Sequence, residues 1–162
     1  MITRERVLEL LHYEPETGTL HRKSPIKRAK VGAVAGCLDD KGYRIIGLDR
    51  AYYKAHRLVW LIETGKWPVD QLDHINRIKD DNRFTNLREA TVGENLQNQS
   101  VPRNNKSGYL GVSWDAKAGK WQANIRVKRV KHFLGMFDDP AEASLAYQDA
   151  KKRLHTFHPL VT

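Results

Sequence analysis

Residues 97–107 limit what this chain can fold into more than any other stretch. They run Gln97-Asn98-Gln99-Ser100-Val101-Pro102-Arg103-Asn104-Asn105-Lys106-Ser107, almost wholly polar with a single proline. Such a run has little to bury and reads as a linker. It divides the 162 residues into two parts, a length that suits one medium domain or two small ones. The expected organisation is a first module over 1–96, a linker over 97–106 and a second module over 107–162. At 40% hydrophobic residues, both modules have material for a core.

Charge narrows the partners. Lys and Arg number 28 against 19 Asp and Glu, a formal +9. A surplus of that size favours a polyanion, either nucleic acid or an acidic membrane surface. It is unevenly spread: residues 97–162 hold 11 Lys/Arg and 5 Asp/Glu, residues 1–96 hold 17 and 14. Cys37 is the only cysteine, so neither an internal disulfide nor a cysteine-based zinc site can form. The start, Met1 to Arg6, alternates charge and does not read as a signal peptide. No apolar run approaches the roughly 20 residues of a membrane span. The expected setting is the cytoplasm.

The first module reads as mixed elements. Thr3 caps a short helix over 3–11, Pro15 and Gly18 mark a turn, and 19–22 reads as a brief strand. A basic loop, 22–31, follows. Residues 43–48 form a strand between two tight turns, and 52–63 run from a strand end into a helix closed by Gly65 and Pro68. Residues 69–72 approach Asp73 and His74 as a short strand, and 86–88 read as a second short strand or turn. Thr91, with Glu94 three residues on, has capping-box spacing for a helix that carries Asn95.

The stretch from Asp73 to Asn95 carries the chemistry. Asp73-His74-Ile75-Asn76 precedes a charged loop, then Asp81-Asn82-Arg83 and Asn86-Leu87-Arg88, then Glu94-Asn95. Oxygen donors from Asp and Asn suit Mg²⁺, which favours carboxylate, amide and water oxygens. A neutral imidazole with an ordinary pKa near 6.5 can take a proton from water. Phosphodiester hydrolysis needs that base and a cation to neutralise developing charge. On an extended strand Asp73 and His74 point to opposite sides, so a bend or loop must bring both to one phosphate. The structural alternative is that Asp73-His74 caps a turn and the asparagines serve Asx turns.

These residues, with Tyr53-Lys54-Ala55-His56-Arg57-Leu58-Val59-Trp60 upstream, resemble the HNH endonuclease motif of the ββα-metal fold, in its phage and intron-encoded homing branch. The resemblance implies that Asp73 and Asn95 bind a divalent metal ion, Mg²⁺ foremost with Mn²⁺ as a substitute. It implies that His74 is the general base and that Asn86 holds the loop and the base in place. Asn95 stands where many members carry His, which favours Mg²⁺ over zinc or nickel. His56 and Arg57 are accessory candidates; His56 reads equally as a buried structural residue.

Beyond the linker, residues 109–115, 120–128 and 129–137 have β character, and Asp139-Pro140-Ala141-Glu142 opens a helix. Its small face comprises Ala143, Ala146, Tyr147, Ala150 and Leu154. Strict alternation puts Lys120, Gln122, Asn124, Arg126 and Lys128 on one face of the middle strand, with Lys131 and Phe133 of the third strand beside them. These are donors to phosphates or base edges; the alternative is a solvated sheet face. Ser107-Gly108-Tyr109-Leu110-Gly111-Val112 and Lys120-Trp121-Gln122-Ala123-Asn124-Ile125-Arg126 resemble the DNA-binding domain of plant ethylene-response factors. So do Phe133-Leu134-Gly135-Met136-Phe137 and residues 141–147. The resemblance implies a three-stranded antiparallel sheet on one helix. Leu110 and Ser113 replace arginines of the plant domains, so no base preference carries over.

The expectation is therefore an α+β endonuclease of two modules acting on double-stranded DNA, with no membrane partner, as a monomer or homodimer, in a bacterial or phage-infected cell. The rival is a sequence-specific DNA-binding regulator on an inactive nuclease scaffold.

Overall fold

The computed structural model describes residues 1–25, 30–99, 101–102 and 104–155. Lys27 and Arg28 of the basic loop lie outside these. The described residues form two compact units, one from Met1 to Asn95 and one from Leu96 to His155. Each is mixed α and β. Among the described residues, no helix is long and apolar enough to cross a membrane.

The first unit opens with α1 (Arg4–Leu10), whose N-terminal Thr3 hydroxyl accepts from the Arg6 amide. The hairpin of β1 (Leu11–Glu14) and β2 (Thr19–Arg22) follows in antiparallel register, Tyr13 opposite Leu20. A second sheet is ordered β3 (Cys37–Leu38), β4 (Arg44–Leu48), β5 (Ala51–Lys54). Asp49 and Arg50 turn β4 into β5 with positive φ at both, the geometry that matches strand twist. Then α2 (Ala55–Thr64) runs to Gly65, which takes the left-handed conformation and donates its N–H to the Leu61 carbonyl.

The helix buries Ala55, His56, Leu58, Val59, Leu61 and Ile62 against Val7, Leu11, Leu20 and Ile46. This core supports a two-stranded antiparallel ribbon of β6 (Gln71–His74) and β7 (Leu87–Ala90). A loop and a 3-10 turn (Phe84–Asn86) connect the two strands. The turn is fixed from the helix side by Phe84 against Trp60, ring centroids 5.3 Å apart. The ribbon leads into α3 (Val92–Gln97) through a capping box. The Thr91 amide donates to the Glu94 carboxylate at 2.8 Å, and the Glu94 amide to the Thr91 hydroxyl at 3.3 Å.

The second unit is a three-stranded antiparallel sheet, β8 (Val112–Asp115), β9 (Lys120–Val127) and β10 (Val130–Phe137), with β9 central, and α4 (Pro140–Leu154) packed on it. Asp139 caps α4 by accepting from the Ala141 amide, and Pro140 occupies the first turn. Val112, Ala123 and Ala143 form the core, flanked by Trp121, Leu134 and Phe137.

Three details differ from the alternation pattern. The first strand starts at Val112, because Gly108 and Gly111 take positive φ and bend the chain before it. Lys128 falls outside β9: it shares a positive-φ turn with Arg129, so strand alternation does not set its direction. Leu154 is exposed, and Ser144 takes a buried place on the helix face instead.

Among the described glycines of this unit, Gly111 has the most crowded surroundings. At φ +71, a Cβ there would lie 2.6 Å from the Asn124 carbonyl and collide with the Tyr147 ring. Gly111→Ala should lower unfolding stability by more than about 1 kcal/mol. Thermal melting of the purified variant checks this; an unchanged melting temperature would show that the helix and strand have room to separate.

Candidate active site

The ribbon register decides which site side chains share a face. Asp73 lies opposite Arg88, and His74 opposite Leu87. Residues paired across an antiparallel ladder point the same way, and neighbours along a strand point apart. Asp73 therefore faces Arg88, whose Nε and Nη2 reach Asp73 Oδ2 at 3.0 and 2.9 Å. Gln71, two residues before Asp73, shares that face. Asn95 of α3 joins it through its side chain, with Nδ2 donating to Gln71 Oε1 at 2.7 Å.

The oxygens of Asp73, Asn95 and Gln71 are hard donors on one side of the ribbon. Carboxylate and amide oxygens are the donors a hard divalent cation accepts, although here Asp73 Oδ2 is held by Arg88 and Gln71 Oε1 by Asn95. Among the described residues, no group of three or more His, Cys, Asp or Glu gathers as a metal cage.

His74 lies on the other face, 4% exposed. Its ring packs edge-on against His56, centroids 5.0 Å apart, and against Tyr43 at 6.0 Å. Its Nε2 is 3.3 Å from Asn82 Oδ1. Asn82 Nδ2 donates to the Asp80 carbonyl at 3.0 Å, which turns the amide oxygen toward the imidazole. The contact is then Nε2–H donating to Oδ1, and the ring's basic lone pair belongs to Nδ1. Burial pulls the His74 pKa below its ordinary value, opposed by the Asn82 hydrogen bond and by Asp73 and Asp81. The ring is neutral at pH 7, as a proton acceptor must be.

Asn86 organises the loop between the strands. Its Oδ1 accepts from the Asn76 amide at 3.0 Å, while its Nδ2 donates to Asn76 Oδ1 at 3.0 Å and to the Asp81 carbonyl at 2.8 Å. Its own carbonyl accepts from the Ile75 amide at 2.9 Å. Arg44 of β4 anchors the same loop by a two-pronged ion pair with Asp80, 2.8 and 2.7 Å.

His56 sits beside His74. Buried on α2, its pKa falls to about 3, chiefly through desolvation and then through His74, Lys54 and Arg57. Arg57 lies over the Trp67 ring at 5.9 Å. Two ammonium groups converge on Tyr43: Lys54 Nζ 4.0 Å and Lys79 Nζ 4.9 Å from the ring centroid. Asn82, Gln71, Tyr43 and the lysine pair were not among the expected site residues. Asn82 was the most legible, standing inside the Asp81-Asn82-Arg83 run, but only the fold brings it to His74.

On the second unit, Lys120, Gln122, Asn124 and Arg126 occupy the face of β9 away from α4. The register sets Lys131 against Arg126 and Phe133 against Asn124, so both share that face. Phe133 is 59% exposed. A bulge between Phe133 and Gly135 then brings Met136 opposite Gln122. Lys120 is partly engaged, 3.1 Å from Asp138.

Residues 53–97 match the family model described as HNH endonuclease. The match runs from β5 through α3 and contains His56, Asp73, His74, Asn86 and Asn95. It supports a nuclease reading of this segment. Comparison with curated proteins found no match, and comparison with solved structures found none.

The depressed pKa of His56 has a stability consequence. The unfolded chain protonates this residue near 6.5 and the folded chain near 3. Between those values the unfolded state binds the extra proton, so stability falls as pH drops through that window. Urea unfolding should show a loss of up to about 1.4 kcal/mol per pH unit from this one proton. His56→Gln should flatten the slope; an identical slope in the variant would mean the ring is protonated in the fold.

Proposed function

We propose that this protein is a metal-dependent DNA endonuclease of the ββα-metal type, delivered to its site by the sheet of the second unit. The observation that carries the reading is the state of His74. Within the segment that matches the HNH endonucleases, a histidine is buried, hydrogen-bonded through Nε2 and held below its ordinary pKa by burial, next in sequence to an aspartate on the opposite face of the same ribbon.

Asp73 and Asn95 would hold the ion, with Gln71 orienting the Asn95 amide. When bound, a divalent cation neutralises charge on the scissile phosphate and stabilises the leaving oxygen. His74 accepts the proton of the attacking water at Nδ1, and Asn82 fixes the tautomer that makes this nitrogen basic. Asn86 holds the loop that follows His74. Lys54 and Lys79 supply positive charge next to the His56–His74 pair, where a DNA phosphate is attracted. Arg88 neutralises Asp73 across the ribbon.

Lys120, Gln122, Asn124, Arg126, Lys131 and Phe133 form the proposed DNA-reading face, resembling that of the ethylene-response-factor domain; Lys128 would add charge from the adjoining turn. Joining two modest binding modules through a tether raises overall affinity without any new contact. A site-specific enzyme of this design fits the homing type, and one active site per chain fits a nick from a monomer or paired cuts from a dimer.

Supercoiled plasmid carrying DNA that flanks the source locus tests the reading. With Mg²⁺ the protein should yield open circles, chelator should stop the reaction, and His74→Ala should lower the rate at least 100-fold, in the range of general-base loss of about 10²–10⁴. DNA that shifts on a gel but is never cut, with Mg²⁺ or Mn²⁺, would favour the regulator instead. In the binding arm, Arg126→Ala should weaken DNA binding and lower the slope of log K against log salt by about 1. An unchanged affinity and slope would remove this sheet face from the DNA interface.

A further inference from the structure

We infer that the N-terminal hairpin, which lies wholly outside the matched segment, belongs to the catalytic apparatus: Tyr13 of β1 positions Asn82 and, through it, His74. The inference rests on the nuclease reading for its kinetic consequence but not for its structural one.

Tyr13 is 7% exposed, and its hydroxyl makes two bonds to the site loop. It donates to the Asn82 carbonyl at 3.3 Å and accepts from the Phe84 amide at 3.0 Å. These two main-chain groups flank Arg83, so a single hydroxyl sets both the position and the direction of the chain there. Asn82 is 1% exposed, and its side-chain amide is the partner of His74 Nε2. The path from hairpin to imidazole is therefore one hydroxyl, one residue of backbone and one amide.

The turn of the same hairpin closes on the same place. Gly18 has φ +74, and a Cβ there would lie 2.6 Å from the Asn82 carbonyl carbon and collide with the Arg83 amide nitrogen. Only a residue without a side chain lets the two backbones meet this closely. From the opposite side Trp60 holds Phe84. Residues 82–84 are thus gripped between β1, the hairpin turn and α2.

Ordinary core packing would explain the Tyr13 ring but not its hydroxyl. A phenylalanine would fill the same space without burying a polar group. Burial also keeps the Tyr13 hydroxyl protonated, since it raises the group above its ordinary pKa. Tyr13→Phe keeps the ring and leaves the Asn82 carbonyl and the Phe84 amide without this partner.

The test uses the full-length chain and the variants Tyr13→Phe, Asn82→Ala and their double, each assayed well below its own melting temperature. Tyr13→Phe should lower kcat about tenfold with KM within about twofold, the signature of a displaced catalytic group. Asn82→Ala should lower kcat further, and the double variant should be no slower than Asn82→Ala alone, because Tyr13 acts through Asn82. Independently of cleavage, ring ¹⁵N spectra of His74 should show the proton on Nε2 in the wild type and a mixture of tautomers in Tyr13→Phe. Unchanged kcat in a folded Tyr13→Phe protein, or additive effects in the double variant, overturns the inference. If the wild type cuts no DNA, the nuclease reading fails and the spectra decide alone: an unaltered tautomer in Tyr13→Phe overturns the positioning role. If Tyr13→Phe does not fold, a wild-type His74 protonated on Nδ1 overturns it.

Discussion

The ladder between β6 and β7 is the constraint on which the site depends. Its register sets Asp73 against Arg88 and His74 against Leu87, and so separates an ionic face from a packed one. A slip of one residue would exchange the two faces, breaking the Asp73–Arg88 ion pair and the packing of His74 on His56 and Tyr43. Two short strands cannot hold a register by themselves. The core of α1, α2 and β4 backs the ribbon through Leu87, while Asn95 of α3 ties β6 through Gln71.

The loop between these strands is held with unusual completeness for a segment so polar. Asn86 bridges both of its ends, Arg44 takes Asp80, and Tyr13 takes the main chain of Asn82 and Phe84. A catalytic group is effective only in proportion to how well its orientation is fixed before reaction. Here the fixing elements come from β1, β4 and α2 as well as from the ribbon. The N-terminal hairpin and the second sheet are therefore part of the reason the ribbon holds its shape.

Much of this was legible in the sequence where a local rule dominates. Thr3, Gly65, the Thr91–Glu94 box and Asp139-Pro140 mark helix ends through backbone groups within a few residues, and each lies where the pattern put it. The alternation of 120–127 gave the open face of β9, and the register added Lys131 and Phe133 to it. Lys128 escaped because alternation cannot tell a strand's last residue from the first of a tight turn; the positive φ at Lys128 and Arg129 is a property of the hairpin. Asn82, Gln71 and Tyr13 escaped for another reason. Their roles arise from contacts across 8 to 71 positions of chain, which no local pattern encodes. The opposed directions of Asp73 and His74 along the strand were foreseen, but the bend expected to bring both to one phosphate does not fall between them: both stay in the β6 ladder on opposite faces, with His74 as the last residue of β6, where the loop begins.

The proposed cleavage chemistry requires one face of the ribbon to hold a divalent cation through Asp73 and Asn95. Mn²⁺, which is paramagnetic and accepts the same oxygen donors, reports this directly by electron paramagnetic resonance of the protein with bound DNA. One Mn²⁺ per chain is expected, displaced by excess Mg²⁺, and lost in both Asp73→Ala and Asn95→Ala while DNA binding persists. Equal Mn²⁺ binding by the wild type and both variants would contradict it.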